Sequence, residues 1–181
     1  ISAAARARLV ETIGGDRLAS RNEVRKLALY CQGRAMVDEQ DIEDIVGDAS
    51  AISTDDAIDA ILKGDKDGFL HAIQKIVSSK TPVFLVLQGC LRQFQLLELI
   101  RAEMDEKRTP AAQAVAMLGR HLHFRRKPIV ENAVKSWTGA AIRRETQRLQ
   151  SAILQSRQRP ALEDTIAMQT MLATVLQSAR R

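Results

Sequence analysis

TPVFLVLQGCLRQFQLLELIRAEMDEKRTPAAQAVAML, residues 81–118, decides how the chain is to be read. Two Thr-Pro pairs, Thr81-Pro82 and Thr109-Pro110, each offer a capping hydroxyl followed by proline at the first helical position, where its missing N–H costs nothing. Between them Val83 to Glu106 is apolar around most of a helical circumference, which marks a central, buried helix. A short helix, Ala111 to Leu118, follows the second pair. Pro128 and Pro160 hold the equivalent place before IVENAVKSW (129–137) and ALEDTIAMQTMLATVLQ (161–177). All four prolines therefore stand at expected helix starts, and none interrupts a pattern.

Working outward, the remaining segments keep a period near 3.6. Ser2 to Ile13 reads as a first helix with Leu9, Val10 and Ile13 on one side. Leu18 to Cys31 is a second, with Leu18, Val24, Leu27, Ala28 and Cys31 inward. Asp38 can cap a short third, EQDIEDIVG (39–47), carrying Ile42, Ile45 and Val46. A fourth runs from Ser53 or Thr54 to Leu62, and Phe69, Leu70, Ile73, Ile76 and Val77 stripe a fifth. A long helix from about Thr138 to Arg157 and a last one from Leu162 to Ala179 complete the set. The fold class is all-α. A boundary falls near GDASAIST (47–54), which separates a unit of about 50 residues, too small to bury much core alone, from a larger bundle beginning at residue 53. The chain starts with Ile1 already inside a helical pattern and reads as the C-terminal piece of something longer.

Composition agrees with helices. Hydrophobic residues make up 45% of the 181 and aromatics only 3%, and straight-chain residues lose little rotamer freedom in a helix. No signal peptide and no apolar run long enough for a bilayer is read from the pattern. Cys31 and Cys90 sit in apolar helical patterns, as buried free thiols of a reducing cytosol would. The net charge of +5 is unevenly spread. Residues 36–67 hold eleven acids against Lys63 and Lys66, whereas residues 120–159 hold ten Lys and Arg against Glu131 and Glu145. That polarity suits a surface facing nucleic acid or a partner; two ordinary solvated faces would give the same count.

Candidate chemistry is sparse. Gly14-Gly15 lacks the Gly-Lys-Ser/Thr of a phosphate loop and reads as an interhelix turn. His121 and His123 lack a third metal ligand nearby, and His71 stands alone. Asp55-Asp56 reads as an acidic first helical turn. Neither a catalytic set nor a cofactor motif is present, so no catalytic residue, cofactor or metal is assigned. RHLHFRRKP, residues 120–128, is the most distinctive stretch. Arg120, Arg125, Arg126 and Lys127 can neutralise phosphates, and Phe124 can offer its ring to a base; equally, Phe124 can anchor a core with the arginines beside it. Arg17, Arg21, Arg25 and Lys26 cannot all face inward and give the second helix a basic outer surface, open to a partner or to solvent.

GGDRLASRNEVRKLALYC (14–31), the acidic helix ending in VGDAS (46–50), DDAIDAILKGD (55–65) and HLHFRRKP (121–128) resemble, in order and spacing, the delta-subunit family of the bacterial DNA polymerase III clamp loader. The resemblance covers essentially the whole chain. It implies a three-helix AAA+-type lid over residues 1–50 and a helical collar over 53–181, with the N-terminal, clamp-gripping module not represented. It implies a non-catalytic, cytoplasmic subunit of a polymerase holoenzyme. Its expected partners are the gamma/tau and delta-prime subunits, primed-template DNA, and, through the module not represented, the sliding clamp. Phe124 falls where relatives carry an aromatic near the template strand, with Arg125 and Arg126 matching basic residues after it. Arg17, Arg21 and Arg25 would face a neighbouring module. Relatives place a second aromatic before the last helix, where this chain has Gln158-Arg159-Pro160. Two other readings stand beside this one: another loader subunit such as delta-prime, and a free-standing helical DNA-binding regulator reading bases through Arg21-Asn22.

Overall fold

A computed structural model describes residues 1–13, 17–45 and 49–181; for residues 11–12, 17–19, 43–44 and 49–53 it describes the backbone alone. The glycine pair 14–15 and Val46 lie outside the described residues, as do the side chains of Arg17 and Leu18. The chain is all-α: 80% of it is helical, and no strand occurs among the described residues. The helices are α1 (Ala3–Thr12), α2 (Arg17–Tyr30), α3 (Glu39–Ile45), α4 (Ala49–Lys63), α5 (Lys66–Ser78), α6 (Val83–Lys107), α7 (Ala111–Leu118), α8 (Lys127–Ser136), α9 (Gly139–Gln158) and α10 (Glu163–Ala179). A 3-10 turn, Pro160–Leu162, precedes the last of them. They form two compact units, Ile1–Ile52 and Ser53–Arg181, divided inside α4.

In the first unit the Ser2 side chain caps α1 by accepting from the Ala5 amide at 3.0 Å. Asp38 and Asp41 cap α3 reciprocally: Asp38 Oδ1 accepts from the Asp41 amide at 3.1 Å, and Asp41 Oδ2 accepts from the Asp38 amide at 3.0 Å. This satisfies two donors that a helix start otherwise leaves unpaired. Arg34 closes on the same Asp41 carboxylate and stacks over Tyr30 at 4.6 Å. The buried core is small, made of Ala5, Leu27, Cys31 and Ile42. Val10 and Val24, expected inward, are 70% and 44% exposed, and Ala28 is exposed too. Three helices cover only one face of one another, so the apolar stripes are wider than the core that receives them.

The second unit is built around α6, which touches α5, α7, α8, α9 and α10. Ten of its residues are buried, from Val83 to Ile100. Contrary to the reading of the pattern, α6 is long and apolar enough by length and composition to cross a membrane. Here one face of it is covered by the neighbouring helices, while Leu85 and Leu99 remain exposed. A glycine in its middle matters to that packing: a Cβ on Gly89 would lie 2.7 Å from Ile58 Cδ1 of α4. Phe94 of α6 meets Trp137 edge-to-face at 5.1 Å between centroids, and the Arg181 guanidinium lies over the indole at 4.1 Å. On α5, Phe69, Ile73 and Ile76 are buried, whereas Leu70 and Val77 are exposed; each follows a core residue by one position, about 100° round the helix.

Three expectations about helix starts are corrected. Pro82 and Pro110 themselves occupy the N-cap positions of α6 and α7, without side-chain capping bonds, and the Thr81 hydroxyl pairs with Ser79 at 2.9 Å. Helix α8 begins at Lys127, which places Pro128 within its first turn. Helix α4 begins at Ala49, four residues before Ser53, so Asp55 stands in its second turn and not at its start. Thr138 does cap α9 through its side chain, to the Ala141 amide at 3.3 Å.

One polar cluster joins α9 to α10. The buried Glu145 carboxylate accepts from Thr174 Oγ1 at 2.7 Å and from Arg148, and Arg148 Nη2 also reaches the Thr174 hydroxyl at 2.9 Å. Removing the carboxylate takes from Arg148 its ion-pair partner in this partly buried cluster, while the Thr174 hydroxyl keeps the Thr170 carbonyl at 2.9 Å. Glu145→Ala is therefore expected to destabilise the chain by about 2 kcal/mol, measured by urea unfolding. A midpoint equal to that of the parent would show the cluster to be dispensable. Cys90, beside it, is a buried free thiol whose pKa burial pushes up, away from thiolate chemistry.

Candidate nucleic-acid interface

The segment between α7 and α8 carries the residues singled out in the sequence. Gly119 ends α7, its amide donating to the Val115 carbonyl at 2.8 Å, and Leu122 turns back so that its amide meets the Gly119 carbonyl at 3.0 Å. The Leu122 side chain is buried in the bundle. Four residues later the backbone enters α8 at Arg126, whose amide donates to the His123 carbonyl at 2.9 Å. Between these two points the chain arches outward.

At the crest Phe124 is 59% exposed. That exposure overturns the core-anchor alternative; the buried aromatics of the unit are Phe69, Phe94 and Trp137. The ring is flanked by two neighbours: the His123 imidazole lies 4.5 Å away at a tilt of 41°, and the Arg125 guanidinium sits 5.6 Å from its centroid. His123 Nδ1 also accepts from the Arg125 amide at 3.3 Å. Arg120, His121 and Arg125 are exposed, and Lys127 is half-buried at the first position of α8. The arch thus presents an aromatic face rimmed by fixed positive charge, a combination that suits a stacked base and its phosphates.

Arg126 is different. Its side chain is only 12% exposed and turns inward. Nε donates to Asp59 Oδ1 at 2.8 Å, Nη1 to Asp55 Oδ1 at 2.7 Å, and Nη2 to Gln93 Oε1 at 3.2 Å. Arg126, named in the sequence as a DNA-contact candidate, is thus paired with two carboxylates. Asp55 and Asp59 lie four apart on α4 and so share one face. Burial pushes the Asp59 carboxyl above its ordinary range, against the pull of the Arg126 guanidinium. These three partners were missed in the sequence. The only signal was the spacing of the two acids, since the arginine they meet lies some seventy positions on.

The other named residues belong to the first unit. Arg21 and Arg25 are exposed on α2, beside the Lys26–Glu23 ion pair at 2.8 Å, while Arg17 begins that helix. Among the described residues no group of three or more His, Cys, Asp or Glu side chains is arranged to hold a metal ion. A shallow groove of about 240 Å³ between α4 and α5, lined by Asp56, Lys63, Asp65 and His71 among others, mixes both signs of charge.

No family model matches the chain, and no curated protein matches it either. Among solved structures it is similar to the DNA clamp loader delta protein YqeN of Bacillus subtilis, with a TM-score of 0.63 at 14% sequence identity. The superposition covers 96% of this chain and 50% of that one, so the chain spans half the length of the protein it matches. At that identity the likeness is one of fold: the helices are arranged as in part of a clamp-loader subunit.

Proposed function

We propose that this chain is the lid-and-collar part of a non-catalytic clamp-loader subunit of the delta type. Residues 1–50 act as the lid and 53–181 as the collar. The collar assembles with gamma/tau and delta-prime subunits, and the complex opens the sliding clamp and places it on primed DNA in the cytoplasm. The observation that carries this reading is the fold similarity to a clamp loader delta protein over nearly the entire chain. A rigid bundle suits the task, because packed helices move as bodies. The arch supplies the nucleic-acid contact: Phe124 stacks on an unpaired template base, with Arg125, Arg120 and Lys127 close to its phosphates. Arg17, Arg21 and Arg25 face a neighbouring module. In this role neither unit needs an active centre.

The test is assembly. Mixed with gamma/tau and delta-prime, the chain is expected to co-elute as one complex in gel filtration. Separate elution at micromolar concentrations would remove the collar reading.

A further inference from the structure

The arch is pinned at both ends, by Leu122 in the core and by Arg126 in a polar socket, and only the residues between them project. We propose that Arg126 is a positioning residue: by gripping Asp55, Asp59 and Gln93 it sets the arch so that Phe124 and Arg125 meet a nucleic acid, without itself neutralising a phosphate. This rests on the nucleic-acid reading of Phe124.

Three features of the socket carry it. First, the guanidinium spends donors in three directions at once, on two carboxylates and one amide oxygen. A planar fork holds these donors in one fixed geometry, whereas an ammonium's three donors rotate at the end of a flexible stem. Second, Arg126 with Asp55 and Asp59 sums to one negative charge, so the socket repels a phosphate where a lone arginine would attract it. Third, the partners belong to α4 and α6, helices embedded in the core of the unit. The grip therefore ties a surface arch to the rigid part of the bundle.

The experiment uses the full chain and a fluorescein-labelled duplex with a single-stranded overhang, with anisotropy followed over a salt series. Hydrogen exchange of the amides of residues 122–126 is measured in parallel, and melting temperatures confirm that each variant is folded. Asp59→Asn raises the net charge by one, so electrostatics alone predicts tighter binding. Positioning predicts the opposite: binding weaker by roughly five-fold, with the salt slope unchanged. Arg126→Lys, which keeps the charge and loses the fork, is expected to behave alike, whereas Arg125→Ala lowers the slope by about one. Arch amides should exchange faster in both socket variants. Tighter binding by Asp59→Asn would mean that a freed Arg126 contacts phosphate, and would overturn the proposal; so would unchanged exchange. If the parent chain ignores the oligonucleotide, the nucleic-acid reading fails and exchange alone decides whether Arg126 sets the arch.

Discussion

Gly64→Ala is expected to destabilise the 53–181 unit by about 3 kcal/mol and to lower its melting temperature by roughly 10 °C. Gly64 ends α4 in a left-handed conformation, φ +71°. Its amide donates to the Ile61 carbonyl at 3.2 Å, and the Asp65 amide to the Ala60 carbonyl at 2.9 Å. This is the paired closure that lets a helix stop within one residue. Any side chain there carries backbone strain. The second cost is steric: a Cβ would lie 2.5 Å from the Ala179 nitrogen and 2.6 Å from its Cα. Both are backbone atoms near the end of α10, so no rotamer change relieves the clash. Gly33 supplies the control. Its φ is +84° but nothing lies within 4 Å of its added Cβ, so Gly33→Ala should cost only about 1 kcal/mol of conformational strain. Equal losses in the two variants, read from urea midpoints at unchanged slope, would show that the approach of α10 to Gly64 contributes nothing.

Phe124→Ala is expected to weaken binding of primed template by the assembled loader about ten-fold, since stacking a base on an aromatic side chain contributes ~1–3 kcal/mol. The chain's own stability should hardly change, because the ring is largely exposed and its removal opens no cavity. Phe124→Tyr keeps a stacking face and should retain most of the affinity. Phe124→Leu keeps bulk without a π surface and should not. A marked drop in melting temperature for Phe124→Ala would return the ring to a packing role. Unaltered affinity across all three variants would show that the arch does not touch the template.

Much of the helical order was legible because local signals repeat. Asp38 caps a helix as the pattern predicts, helices begin just after Ser2 and Thr138, and the predicted helix over 111–118 is found at those bounds. The errors about burial have one cause. Val10 and Val24 belong to apolar stripes, yet a stripe records only that a face can be buried. Whether it is buried depends on another element arriving there, and none does among the described residues of the first unit. The start of α4 was misplaced because Ser53 and Thr54 imitate a cap inside a longer helix. The Thr-Pro pairs misled by a single position, since proline took the cap itself.

At the candidate interface the division is sharper. The sequence alone determined that residues 120–128 concentrate positive charge around one aromatic, because composition along a chain is a local property. It could not say which of those charges is spent internally. Arg125 and Arg126 are adjacent and chemically identical, yet one lies along the exposed Phe124 ring and the other is buried between two carboxylates of α4. Only the tertiary structure decided between them. Helix packing brings residues 55, 59 and 93 to position 126, and a guanidinium taken out of water there is held by the carboxylates that pair with it.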